Sequence, residues 1–277
     1  MGILSSIENR IIVESFTDEE TGAGVRFSVV DYVYPFCHKN DIRRIEFENE
    51  ESYLYSSIYL SDKRDFQPMY PCAQRIIDCF FGRQSIGKAL VLGCAGCTFP
   101  RFLVNRYPQC RVTGVEYSAR LINIAKKHFF NSEMQKRFEI INDDAFMFVK
   151  EAEAGSYSLV FVDLFVAEKI HSSVLSPDFA ADLCRICGEN SVCIFNLFGL
   201  AGSSARRLAK AAAENFDAVY LIEDYRKYFL ALIKTNDMGR LPAFEKRVKR
   251  FAEIDNKILA GEINEAKPPT DKKNKGL

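Results

Sequence analysis

A glycine-containing loop follows the apolar run 88–93 and has the residue types of a nucleotide-binding turn. It consists of Gly93, Cys94, Ala95 and Gly96, so two glycines flank two small side chains. Because glycine has no Cβ, the backbone can turn sharply here and come close to a ligand. The glycine spacing meets the standard dinucleotide pattern only in part, so an ordinary tight turn between a strand and a helix explains these residues equally well.

Acidic residues stand at the ends of three later apolar runs and add chemistry to this loop. Glu116 follows the loop by about 20 residues, the spacing of an acid that accepts hydrogen bonds from ribose hydroxyls. Asp143 or Asp144 can accept from an adenine amino group, and Asp163 can hold a cationic amine or take its proton. Each acid alone also suits a solvated loop or a helix N-cap. Their position after successive strands favours one shared crevice at the carboxyl edge of a sheet.

The elements that position these residues alternate between strands and helices. Five predicted strands are apolar along most of their length, at 88–93, 111–116, 138–143, 158–163 and 191–196. Such strands, separated by helical patterns, indicate a parallel sheet covered on both faces. Two further strands flank the short segment 224–227 and must form an antiparallel hairpin. The sequence therefore predicts an α/β, Rossmann-like fold with a mostly parallel seven-stranded sheet that ends in an antiparallel hairpin.

The chain divides into three predicted parts. Residues 1–65 contain short alternating runs and the turn TGAG, which indicate a small antiparallel β unit. Residues 66–240 form the Rossmann-like nucleotide-binding catalytic domain. Residues 241–277 begin as a basic amphipathic helix and end in KPPTDKKNKGL, whose lysines and prolines predict a disordered tail.

The composition argues against several kinds of partner. Lys+Arg and Asp+Glu both total 37, so no net charge attracts nucleic acid or an acidic membrane. No stretch approaches the roughly 20 apolar residues of a membrane span. We therefore expect a small-molecule acceptor. Nine cysteines without an apolar leader predict a cytoplasmic location, and the wide separation of the two Cys-x-x-Cys pairs argues against a bound metal.

Four segments of the chain resemble the spermidine synthase family within the class I S-adenosylmethionine-dependent methyltransferase superfamily. They are VLGCAGCTFPRFLV, VTGVEYSARLINIAKKHFF, IINDDAFMFV and YSLVFVDLF, and the resemblance extends from about residue 45 to 233. It implies the class I methyltransferase fold, S-adenosylmethionine or decarboxylated S-adenosylmethionine as co-substrate, and a homodimer. It also implies that Asp163 is the catalytic aspartate. The predicted nucleoside-binding residues are Gly93, Cys94, Ala95, Gly96, Glu116, Tyr117, Asp144, Ala145 and Asp163.

The sequence departs from that family where the acceptor would bind. Val166 stands where the family has a second acid, and Tyr55 stands where it has a glutamine. A diamine has two cationic ends, and each needs a partner when it leaves water. Aminopropyl transfer and methyl transfer to a small acceptor therefore both remain open. The predicted acceptor contacts are Tyr55, Tyr70, Phe165 and His171, with Asn196 as a further candidate.

The alternative to an enzyme is a catalytically silent nucleotide-binding or oligomerising protein that retains the fold. In such a protein, Phe165 or Tyr55 would fill the acceptor pocket. An enzyme needs an open pocket beside Asp163, so the space around this side chain discriminates between the two hypotheses.

Overall fold

The computed structural model describes residues 9–20, 25–34, 37–48, 54–61, 64–82, 84–166, 169–225 and 227–259. A small antiparallel sheet comes first, and its four strands pair in chain order. The strands are β1 (Asn9–Asp18), β2 (Val25–Val33), β3 (Ile42–Phe47) and β4 (Leu54–Tyr59). This sheet agrees with the small antiparallel β unit that the alternating runs predict.

The larger unit alternates helices and strands. Its helices are α1 (Pro71–Phe81), α2 (Thr98–Arg106), α3 (Ala119–His128), α4 (Ser132–Arg137), α5 (Ala145–Glu151), α6 (Pro177–Ile186), α7 (Gly202–Ala212) and α8 (Leu241–Val248). Its strands are β5 (Lys88–Leu92), β6 (Arg111–Glu116), β7 (Phe138–Asn142), β8 (Tyr157–Val162), β9 (Phe165–Val166), β10 (Lys169–Ile170), β11 (Cys187–Asn196), β12 (Ala218–Asp224), β13 (Lys227–Lys234) and β14 (Glu253–Leu259). Within the described ranges, none of these helices is long and apolar enough to cross a membrane.

The main sheet has the strand order β14-β12-β13-β11-β8-β5-β6-β7. The strands from β11 to β7 run parallel, whereas β13 is antiparallel to β11, and β12 to β13. Neighbouring strand residues such as Val91 and Leu92 point to opposite faces and enter two separate hydrophobic cores. The predicted Rossmann-like fold with its terminal hairpin is therefore confirmed.

The C-terminal part differs from the long basic helix that the sequence predicts. Helix α8 ends at Val248, and β14 then pairs antiparallel with β12 as an eighth strand at the sheet edge. Ile254 packs with the core on one face of the sheet, and Ile258 packs with the core on the other. The apolar residues after Val248 thus serve a strand, because each face of the sheet offers them a core. The predicted tail at 267–277 lies outside the described residues.

An apolar cluster joins the small sheet to the larger unit. Phe27 and Ile45 of the small sheet are fully buried in one cluster with Leu121 and Ile124 of α3. At the start of α2, the Thr98 hydroxyl donates a hydrogen bond of 2.9 Å to a backbone carbonyl of β4. These contacts hold β4 beside the loop that follows β5, where the predicted site residues lie.

Candidate functional site

The loop between β5 and α2 requires glycine at two positions. Gly93 has φ of +82°, and a Cβ there would lie 2.2 Å from the backbone oxygen of Asp163. A Cβ on Gly96 would lie 2.6 Å from the Ser56 hydroxyl in β4. Ala95, at φ of 39°, also has the left-handed backbone conformation that non-glycine residues rarely adopt. The loop thus packs closely between the end of β8 and the small sheet. Its backbone is strained in a way that is common at ligand sites.

Glu116, at the end of β6, holds this loop closed. Its Oε2 accepts hydrogen bonds of 3.0 Å from the backbone N–H groups of Cys94 and Ala95, and its Oε1 accepts one of 3.1 Å from Ser118. Burial raises the pKa of this carboxyl, and the three N–H donors act against that rise. A carboxylate has about four acceptor sites. Glu116 therefore retains about one acceptor site for a further donor.

Asp144 caps the N-terminus of α5 and also lines the same cavity as Glu116. Its Oδ1 accepts hydrogen bonds of 2.8 and 3.0 Å from the backbone N–H groups of Phe146 and Met147. The ligand-binding and the capping interpretations of this acid are thus compatible. The cap keeps Asp144 and Ala145 at the cavity wall, where the carboxyl ends of β6 and β7 meet.

Asp163 follows β8 and forms a polar network with β11. Asn196 donates a hydrogen bond of 2.8 Å from Nδ2 to Oδ1 of Asp163, and its own Oδ1 accepts one of 3.1 Å from the backbone N–H of Phe198. The Tyr70 hydroxyl also hydrogen-bonds with Asn196. Burial raises the pKa of Asp163 to about 7; the bond from Asn196 opposes this rise, and the charge of Glu116 adds to it. Near neutral pH this carboxyl can therefore both take and release a proton, as a general base must.

Two tyrosines stand next to these acids. The ring of Tyr55 lies 5.2 Å from that of Phe27, and the ring of Tyr70 stacks on Phe99 at 5.9 Å. Burial raises the pKa of both hydroxyls well above the usual value, and the charge of Asp163 raises each further. Both hydroxyls therefore stay protonated and neutral at physiological pH.

One cavity of about 670 Å³ collects most of the predicted site residues. Those that line it are Tyr55, Tyr70, Gly93, Ala95, Glu116, Tyr117, Asp144, Ala145, Asp163, Phe165 and His171. Two predicted residues do not line it. The Cys94 thiol points back to the sheet, 3.5 Å from the carbonyl of Val91, and Gly96 packs against Ser56. Cys94 and Gly96 therefore contact other parts of the protein and do not face the cavity.

The cavity also contains residues that the sequence does not single out. They are Glu20, Phe47, Leu54, Val115, Phe146, Leu164 and Phe198. Glu20 accepts a hydrogen bond of 2.7 Å from the backbone N–H of Ala119 at the start of α3. This pairing joins residues 99 positions apart, so no local pattern in the sequence could have indicated it.

The acceptor-side candidates have local structural partners as well. His171 accepts a hydrogen bond of 3.2 Å from the backbone N–H of Ser173, and its ring lies 4.9 Å from that of Phe146. Phe165 and Val166 form β9, which pairs with β10 in a short ribbon at the cavity wall. The wall beside Asp163 is therefore built from aromatic and aliphatic groups.

No protein-family model matches the chain, and no curated protein matches its sequence. Solved structures do match it. A probable spermidine synthase from Corynebacterium glutamicum ATCC 13032 superposes with a TM-score of 0.67 at 18% identity, over 92% of this chain and 93% of that one. A spermidine synthase in complex with the transition state analogue AdoDATO gives 0.58 at 11% identity, over 87% and 79%. Human methyltransferase-like protein 13 in complex with SAH gives 0.50 at 14% identity, over 73% and 93%.

These structures share the architecture of this chain at low sequence identity. They support the predicted resemblance to spermidine synthases and class I methyltransferases at the level of the fold. Fold alone does not assign an activity, because one fold hosts many reactions. The features that bear on an activity are those of the cavity.

Proposed function

We propose that this protein is a transferase that binds S-adenosylmethionine or decarboxylated S-adenosylmethionine and moves a methyl or aminopropyl group to a small acceptor. The observation that carries the proposal is the convergence of one loop and three acids, Glu116, Asp144 and Asp163, on a single cavity. They follow β5, β6, β7 and β8, so each is placed by the carboxyl end of a parallel strand. Ligands of open α/β sheets bind at that edge.

The nucleoside part of the proposal rests on size and hydrogen-bonding capacity. A cavity of about 670 Å³ falls within the range of about 300–1,000 Å³ that small-molecule sites occupy. Glu116 offers an acceptor site to a ribose hydroxyl, and Asp144 stands at the neighbouring wall for the base. The AdoDATO and SAH complexes named above support a nucleoside ligand of the same kind.

The transfer step needs a group that receives a proton. The lone pair of the acceptor attacks the carbon next to the sulfonium, the carbon–sulfur bond breaks, and its electron pair stays on sulfur as a neutral thioether. The attacking nitrogen or oxygen then loses a proton to Asp163, whose pKa of about 7 suits this exchange. Positioning supplies much of the acceleration, because the sulfonium already activates the carbon.

The space beside Asp163 favours the enzyme over the catalytically silent alternative. Tyr55 and Phe165 line the cavity and leave it open, with Asp163 in its wall. A protein that kept only the fold would have no need of an open volume next to a carboxyl with a raised pKa.

Calorimetric titration with S-adenosylmethionine, decarboxylated S-adenosylmethionine and methylthioadenosine tests the proposal. We expect at least one to bind and Glu116→Gln to weaken that binding at least about tenfold, a loss of about 1.4 kcal/mol. The glutamine keeps one carbonyl oxygen for Cys94 and Ala95, but its NH₂ group can accept neither from ribose nor from the Ser118 N–H. Glu133→Gln, on the exposed face of α4, is the matched control. Absence of binding by all three nucleosides, or unchanged affinity in Glu116→Gln, would refute the proposal.

A further inference from the structure

Among the described residues, those that line the cavity beside Asp163 carry little negative charge. We call this part of the cavity the acceptor half; its residues are Tyr55, Tyr70, Asp163, Phe165, Val166, His171, Asn196 and Phe198. Among the described residues of this half, Asp163 is the one acid. The other acids of the cavity are Glu20, Glu116 and Asp144, and each already accepts hydrogen bonds from backbone N–H groups on the nucleoside side.

Apolar side chains make up part of the wall of the acceptor half. Val166 is 50% exposed and Phe198 is 47% exposed, although large apolar side chains normally avoid water. Both line the cavity. Exposed apolar groups gathered at one cavity mark a surface that a ligand covers. The wall near Asp163 is therefore suited to an uncharged, apolar body.

Two lysines add positive charge next to residues of this half, although neither lysine lines the cavity. Lys227 lies over the ring of Phe198, with Nζ 5.3 Å from the ring centroid. Lys169 pairs directly with Val166 across the β9–β10 ribbon, so both side chains stand on one face of it. A second ammonium group on the acceptor would meet these like charges, which disfavour its charged form.

We infer that the acceptor carries one nucleophilic amine or hydroxyl and an uncharged apolar body, and that a diamine is a poor acceptor. The inference rests on the proposed function and specifies the substrate class of the same site. The nucleophile reaches Asp163, which takes its proton when the donor's carbon–sulfur bond breaks. The apolar body lies along Phe165, Val166 and Phe198.

A matched pair of acceptors tests this inference. Butylamine and 1,4-diaminobutane differ in the second ammonium group, and 2-phenylethylamine and 2-phenylethanol add aromatic bodies. The protein loaded with methylthioadenosine is titrated with each compound, and donor consumption is measured in parallel. We expect the preferred monofunctional compound to exceed the diamine at least about tenfold in affinity or kcat/KM. A preference for the diamine, or failure of every monofunctional compound, overturns the inference.

Substitution of one wall residue sharpens the test. Val166→Asp introduces a second acid into the acceptor half, so we expect the preference to shift towards the diamine at least about tenfold. Met238→Asp, at an exposed apolar position outside the cavity, is the control and leaves the preference unchanged. An unchanged preference in Val166→Asp contradicts the assigned role of this wall.

Glu168 lies outside the described residues, so Glu168→Gln is included. Loss of diamine use in that variant would identify Glu168 as a second acid and overturn the inference.

Nucleoside binding and acceptor preference distinguish the proposed function from the assigned acceptor class. If no nucleoside binds, the proposed function is wrong. If a nucleoside binds and the diamine is preferred, the proposed function stands and the assigned acceptor class is wrong.

Discussion

The carboxyl group of Asp163 makes the stability of the protein depend on pH. Burial raises its pKa from 3.8 to about 7 in the folded chain. Between these values the folded chain keeps a proton that the unfolded chain releases, so the free energy of unfolding falls as pH rises. About 3 pKa units at about 1.4 kcal/mol each give about 4 kcal/mol. This is an upper limit, because the side chain is only partly buried and solvent therefore screens its charge.

The variant Asp163→Asn removes this titration. An asparagine keeps an oxygen for the hydrogen bond from Asn196 and carries no charge at any pH. We expect the variant to match the wild type near pH 4. It should exceed the wild type by up to about 4 kcal/mol at pH 8.

Urea unfolding, followed by circular dichroism at pH 4, 5, 6, 7 and 8, measures the difference directly. Asp182→Asn, on α6 and outside the cavity, controls for the loss of one negative charge. If wild type and Asp163→Asn keep a constant difference across the series, or the variant is the less stable protein at pH 8, the carboxyl is not desolvated as argued.

Three further predictions follow from the same contacts. Gly93→Ala should destabilise the protein more than Gly155→Ala does. Both glycines have positive φ, but of the two only Gly93 would bring a Cβ against backbone, 2.2 Å from the carbonyl oxygen of Asp163. The Gly155 variant should lose about 1–2 kcal/mol in thermal unfolding, and equal losses would contradict the proposed close approach. Asn196→Ala removes the hydrogen bond that lowers the pKa of Asp163. In a plot of kcat against pH, the acidic limb should therefore move to higher pH. An acidic limb at the same pH as in the wild type would exclude this positioning role of Asn196. The affinity for S-adenosylmethionine should rise severalfold between pH 6 and pH 8, because its positively charged sulfonium favours ionised Asp163. The uncharged methylthioadenosine should bind with equal affinity at the two pH values in calorimetry. Parallel pH dependence of the two ligands would place the sulfonium away from this acid.

The central sheet can be predicted from the sequence because its parallel strands are apolar along most of their length. Runs such as 88–93 are apolar on both faces, and only a strand between two helical layers buries both. The order of the site residues follows from the same fact, since each acid ends a strand. Local patterns were less informative at the C-terminus. There Ile254 and Ile258 fit a helix or a strand equally well, and pairing with β12 decides the outcome.

Two properties of the site depend on contacts that no local pattern encodes. The raised pKa of Asp163 arises from packing by several elements around it, and Glu20 reaches the cavity through a contact with the start of α3. The use of Glu116 as a partner for three backbone N–H groups also depends on the folded loop. In the ligand-binding interpretation of the sequence, Glu116→Ala removes nucleoside binding with little loss of folding. In the structure that variant also leaves Cys94 and Ala95 without their hydrogen-bond acceptor.

In the proposed function, Glu116 has two tasks, which link the shape of the loop to the presence of the nucleoside. The same carboxylate holds the strained turn at Ala95 and offers its remaining acceptor site to ribose. A ribose hydroxyl that donates to Glu116 takes the free acceptor site on Oε1, beside the bond from Ser118, and leaves the two bonds at Oε2 in place. The loop therefore keeps its conformation while a ligand enters, and the strain at Ala95 is borne by the protein before binding. Binding then requires little reorganisation of the backbone, which is the physical advantage of fixing the loop with an acid from the neighbouring strand.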